Sequence, residues 1–133
     1  MKILLDTNVI LRFILKDHDT MSPAARDLIS KAASGEVQLL LDSVIIAECC
    51  FVLSGRVYAF SKSDIASVIS KIITLKGVIV DDARRINDAL ELFSKHNVDF
   101  ADAYLAAAAK IEDLFIASFD RDFSKLGVSV YGL

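Results

Sequence analysis

Short apolar runs alternate along this chain with longer stretches whose apolar positions recur every three or four residues, the mark of strands interleaved with amphipathic helices. Ile3 to Leu5 read as a short buried strand that ends in Asp6-Thr7-Asn8, residues suited to a turn and a helix cap. Val9, Ile10, Phe13 and Ile14 then follow helical spacing, with Arg12 and Lys16 on other faces. Ser22-Pro23 predicts the start of a helix that runs to about Ser34 and stops at Gly35. Val37 to Leu41 is the second expected strand, and Asp42 or Ser43 caps a very apolar helix through about Leu53, ended by Gly55. Ser63 is the expected cap of a helix from Asp64 to about Thr74, and Val78 to Val80 follow as a third strand. Asp81 or Asp82 opens a helix to about Lys95, and Asp99 with Asp102 has the spacing of a capped start for one through Lys110. Leu114 to Ala117, a turn at Arg121 to Lys125, and Val128 to Tyr131 complete the pattern. This alternation predicts an α/β chain with a mainly parallel sheet covered on both faces, whose ligand site lies beyond the carboxyl ends of the strands.

The 133 residues are expected to form one domain, and an apolar content of 54% allows a substantial core. A formal charge of −3 argues against gripping nucleic acid by bulk positive charge, though not against an enzyme that meets phosphates through metal ions. Cys49 and Cys50 are adjacent, which disfavours a disulfide between them and suggests reduced core thiols. No apolar run has the length of a membrane helix, and Asp6, Asn8 and Arg12 interrupt the region a signal peptide would need, so a cytoplasmic protein is expected.

Four carboxylates change this picture. Asp6 closes the run MKILLD, Glu48 lies within SVIIAECCFVLS, Asp102 opens DAYLAAAAK, and Asp120 closes LFIASFD. A carboxylate in apolar surroundings needs a cation or hydrogen-bond donors in place of water. Each has a plainer reading as well: a cap for Asp6 and Asp102, an exposed helical stripe for Glu48, a turn with Asp122 for Asp120. If the four share one pocket, each pair at about 4 Å repels by roughly 4 kcal/mol at an effective dielectric of about 20. A hard divalent cation such as Mg²⁺ or Mn²⁺ offsets that repulsion and favours hydrolysis of a phosphodiester. Thr7, Asn8 and Ser118 could bond to these carboxylates, whereas Asp99 reads first as a cap. His18, His96, Arg12, Lys16, Arg56 and Lys62 read as solvated surface residues.

The strings LLDTNVIL, SVIIAECCFVL, VDFADAYLAAAA and ASFDRDF, in that order over almost the whole chain, resemble the PIN-domain family, and the compact size resembles its VapC-type toxins. The resemblance implies a three-layer α/β/α fold with a central parallel sheet and a magnesium- or manganese-dependent endoribonuclease. It also implies catalytic and metal-binding roles for Asp6, Glu48, Asp102 and Asp120, with Asn8 and Ser118 at supporting polar positions. Serine stands at position 118 where threonine is common in the family, and Asp99 and Asp122 are extra acids beside the site. Homodimers, a small antitoxin as inhibitor, and structured RNA targets such as tRNA are further implications. An RNA-maturation nuclease without an antitoxin and a non-catalytic RNA-binding module are the alternatives. A receiver-like phosphoryl module is disfavoured because Thr7 and Asn8, not a second acid, follow Asp6. The apolarity of Val44 to Leu53 and of Ile65 to Ile73 further predicts that a partner chain covers part of these helices.

Overall fold

In the computed structural model, which describes residues 1–133, five short strands alternate with seven helices. Strands β1 (Lys2–Leu4), β2 (Gln38–Leu41) and β3 (Val78–Val80) form a parallel ladder in that order, and β4 (Phe115–Ala117) pairs in parallel with β5 (Ser129–Tyr131). The connections are α1 (Thr7–Leu15) and α2 (Met21–Ala33), then α3 (Ser43–Ser54) and α4 (Lys62–Ile73), then α5 (Ala83–Lys95) and α6 (Phe100–Glu112), and last the single turn α7 (Asp122–Lys125). The fold is α/β, with parallel strands flanked by helices. No backbone ladder joins β1 to β4, so the sheet expected as one unit consists of two ladders. Strands of three or four residues offer few interstrand hydrogen bonds.

The helix starts follow local chemistry. Asp42 accepts from the Val44 N–H, Asp82 from Arg85 and Asp99 from Asp102, each satisfying a donor that the first helical turn leaves free. Two expected caps are displaced. Ser61, not Ser63, caps α4, because its hydroxyl reaches the Asp64 N–H at 3.0 Å. The start of α2 is capped by the His18 ring rather than by Ser22: His18 Nδ1 accepts from the Thr20 and Met21 N–H groups, while Ser22 Oγ accepts from the His18 N–H.

Ile86, Ala89, Leu90 and Phe93 form the buried stripe of α5, which packs against Ile65, Ile69 and Ile72 of α4 and the small Ala103, Ala106 and Ala107 of α6. Each fully buried isoleucine or leucine contributes about 1.5–3 kcal/mol. The α4 stripe is therefore covered by this chain's own helices, and the partner expected over Ile65 to Ile73 has no apolar stripe there to cover.

Along the first ladder, Ile3, Leu39 and Val78 share a register row that faces the core, whereas the row Leu4, Leu40 and Ile79 lies toward the surface. Leu4 is 71% exposed and Phe115 in β4 is 70% exposed, so the expected coverage of both faces is incomplete in the single chain. The helices spend their apolar stripes on one another and on one strand row. Gly77, which leads into β3, cannot be replaced without movement: an added Cβ would lie 2.3 Å from the Val37 carbonyl oxygen and 2.6 Å from that of Ala32. That close approach lets the Gly77 N–H bond to Ala32 O at 2.8 Å and holds the end of α2 against the strand. No helix is long and apolar enough to cross a membrane.

Candidate acidic site

Asp6 follows β1 and is the N-cap of α1, its carboxylate accepting from the Thr7 N–H at 2.8 Å. Thr7 turns its hydroxyl the other way and donates to the Glu48 carboxylate on α3. Burial of Ile10, Leu11, Ile46 and Cys49 in the common core joins the two helices and so brings Asp6, Thr7 and Glu48 together. The Cys49 thiol is pushed up to about 12 by burial first and by the charges of Glu48 and Asp6 second. Cys50 is likewise raised to about 12 by burial, and both thiols are free, as expected of core cysteines.

Glu48 departs from expectation in one respect. Its apolar flanks leave little room in the sequence for the exposed helical stripe that is its plainer reading, yet Glu48 is exposed. Val44, Glu48 and Phe51, at helical spacing, form the solvent face of α3, with Val44 64% and Phe51 78% exposed.

The second group of acids gathers at the end of β4 and the start of α6. Asp99 caps α6 through the Asp102 N–H at 2.8 Å. The Asp102 carboxyl is held above its ordinary range by partial burial and then by the charges of Asp99, Asp120 and Asp122. Two local bonds shape the turn after β4: Ser118 Oγ accepts from the Asp120 N–H at 3.0 Å, and Asp120 Oδ1 accepts from the Asp122 N–H at 2.9 Å. Asp122 also lies 3.5 Å from Lys125 Nζ in an exposed ion pair.

The structure thus brings together Asp6 with Glu48, and Asp102 with Asp99, Asp120 and Asp122. As the side chains lie, no group of three or more His, Cys, Asp or Glu residues is placed to hold a metal ion. The donor chemistry nonetheless fits a hard divalent cation: every acid offers carboxylate oxygens, and the charges acting on Asp102 are all negative. The Asn8 amide is directed at Met21 Sδ, 4.0 Å away.

Two basic residues also depart from the solvated role expected of them. Arg12 is largely buried and pairs with Asp17 at 2.8 Å. Lys62 donates to the carbonyls of Val98 and His96 and lies 4.6 Å from the centre of the Phe93 ring. Sequence reading missed Lys62 because its partners are 34 and 36 residues away.

Parallel strands with acids beyond their carboxyl ends describe a class, and comparison with known proteins agrees with it. The PIN domain family matches residues 3–128, and the chain belongs to that family. It is also similar to the VapC ribonuclease of Aquifex aeolicus (strain VF5), with 29% identity over 125 residues, covering 93% of this chain and 91% of that protein.

Proposed function

We propose that this chain is a metal-dependent endoribonuclease, one domain over residues 1–133, that hydrolyses RNA phosphodiester bonds as the toxin of a toxin–antitoxin pair. The observation that carries this reading is the gathering of Asp99, Asp102, Asp120 and Asp122 where β4 ends beside the start of α6. The relative named a ribonuclease supports it. Mg²⁺ or Mn²⁺ held by Asp6, Glu48, Asp102 and Asp120 would supply positive charge against the negative charge that builds on a phosphoryl oxygen during attack by water.

The chain's own residues do the positioning. Thr7 limits the rotation of the Glu48 carboxylate, and its own N–H fixes Asp6. Asp99 anchors the first turn of α6, from which Asp102 projects, and Ser118 and Asp120 hold the turn after β4. The proposed setting is the cytoplasm, with structured RNA such as tRNA as substrate and a small antitoxin as inhibitor.

The test is incubation of total RNA with the protein in Mn²⁺ or in chelator. Discrete products are expected in Mn²⁺ alone, and intact RNA in both would overturn the reading. Expression in a bacterial host should arrest growth unless the product of the neighbouring gene is co-expressed. Normal growth together with cleavage in vitro would favour an RNA-maturation nuclease.

We further propose a homodimer. The exposed apolar side chains of and beside the strands, Leu4, Leu114, Phe115 and Tyr131 among them, are 54–71% exposed. Met1 and Leu133 are exposed as well, and a stable interface buries about 800 Å² per partner. Sedimentation at micromolar concentration should give a dimer, and a monomer would remove this proposal.

A further inference from the structure

A cavity of about 300 Å³ opens beside the acidic site, lined by Ala47, Phe51 and Ser54 of α3 on one side and by Asn97 to Ala101 on the other, with Lys62 and Phe93 also contributing. Its position relative to the acids follows from the chain. Phe51 lies one helical turn beyond Glu48, about 5 Å along the axis of α3. Asp99, on the opposite wall, is the residue that caps α6 through the Asp102 N–H. The cavity is therefore bounded by the two helices that carry Glu48 and Asp102. Phe51 is 78% exposed at the rim, so its ring face is open to a ligand.

Three features suit a flat, partly polar ring. The walls are mainly apolar, with Phe51, Phe93 and Phe100 among them. Asn97 is exposed and can offer both a donor and an acceptor to the edge of a heterocycle. Lys62, held in place by the carbonyls of Val98 and His96, leaves a fixed positive charge in the wall. A volume of this size lies at the lower end of ligand sites, which matches one base better than a larger ligand.

We propose that this cavity is a nucleobase subsite: it receives an unpaired base of the RNA next to the phosphate being cleaved, with Phe51 as the stacking platform and Asn97 reading the edge. The inference rests on the ribonuclease reading above. An unpaired base stacked on an aromatic ring would also hold the backbone in register with the acids, so the subsite would contribute to the choice of cleavage position.

The test uses Asp102→Asn protein, so that RNA is bound without being cut, and compares it with Asp102→Asn/Phe51→Ala and Asp102→Asn/Phe51→Trp. The probes are octamers of uridylate and of adenylate and an abasic ribose–phosphate strand of the same length, all at one salt concentration. Phe51 is exposed, so the alanine variant should fold. Phe51→Ala is expected to weaken binding of at least one base-bearing octamer about 5- to 150-fold. Phe51→Trp should retain affinity, and the abasic strand should bind all three proteins equally. Equal affinity of the alanine variant for both base-bearing octamers would overturn the subsite. So would failure of tryptophan to retain affinity, or an equal loss on the abasic strand. A change in sedimentation without a change in RNA affinity would assign Phe51 to a protein interface and overturn it too. If wild type cleaves RNA in Mn²⁺ while any of these results is obtained, the subsite alone has failed. If wild type neither cleaves nor binds RNA, the ribonuclease reading has failed and takes the subsite with it.

Discussion

Asp102→Asn is expected to lower RNA cleavage by at least about 100-fold and, in chelator at pH 7, to leave the protein more resistant to urea than wild type. The two effects have one origin. The Asp102 carboxyl is raised above its ordinary value by partial burial and by Asp99, Asp120 and Asp122. Below the ordinary aspartate value of about 3.9 the group is protonated in both folded and unfolded chains and costs nothing. As pH rises toward the raised folded value, the unfolded chain ionises first, and the folded state loses stability that it does not regain at higher pH. Asparagine carries no such loss, so its advantage should appear at pH 7 and vanish near pH 3.

Solvent screening at this half-buried site keeps the gain to about 1 kcal/mol or less. Loss of a negative charge in the first turn of α6 opposes it by about 0.3 kcal/mol at moderate salt, which leaves a net gain of about 0.5 kcal/mol. Mn²⁺ should raise the urea midpoint of wild type more than that of the variant. A variant equal to or weaker than wild type in chelator would contradict a crowded acidic site.

Lys62→Met should be the more damaging change to the fold, with an expected loss of about 2–4 kcal/mol. The Lys62 ammonium donates to Val98 O and to His96 O, the latter at 3.4 Å, and lies over the Phe93 ring. It ties the first turn of α4 to the turn that leads into Asp99. Burial lowers its pKa and Asp99 opposes that shift, so the amine is partly desolvated as well as hydrogen-bonded. Methionine fills much the same volume but leaves two carbonyls without their donor. The loss should appear as a lower urea midpoint with an unchanged slope, and cleavage should fall with it because Asp99 and Asp102 follow this turn directly. A loss under about 0.5 kcal/mol, the usual range for a surface substitution, would show that Lys62 is the solvated residue its sequence context suggested.

The elements were legible wherever the signal is local. β3 has the expected bounds, and Asp42, Asp82 and Asp99 cap the helices expected to start there, because a cap needs only a short polar side chain and the next few N–H groups. The two displaced caps show the limit of that rule. Ser61 and Ser63 are both short hydroxyls before an apolar helix, and only the path of the chain decides which of them meets a free N–H. At α2 the cap is an imidazole nitrogen, which propensity ranks low.

The candidate site divides in the same way. The acids could be named from the sequence because carboxylates beside apolar strands and helices stand out by composition alone. Their grouping could not. Thr7, which follows Asp6, meets Glu48 through its hydroxyl across 41 residues, and Asp102 feels Asp120 and Asp122 only because β4 ends beside the start of α6.

By itself, then, the sequence determined the order and type of the elements, the positions of most caps, membership of the PIN domain family and the acids available for chemistry. Tertiary structure decided which apolar faces find a cover: the isoleucines of α4 are buried, while Leu4, Phe51 and Phe115 are open. It also decided that Lys62 serves the fold and that Glu48 stands on an exposed stripe. The physical reason is that periodicity and capping act over one or two turns of chain. Burial, charge and hydrogen bonding act through space, between residues whose separation along the chain says nothing about their distance.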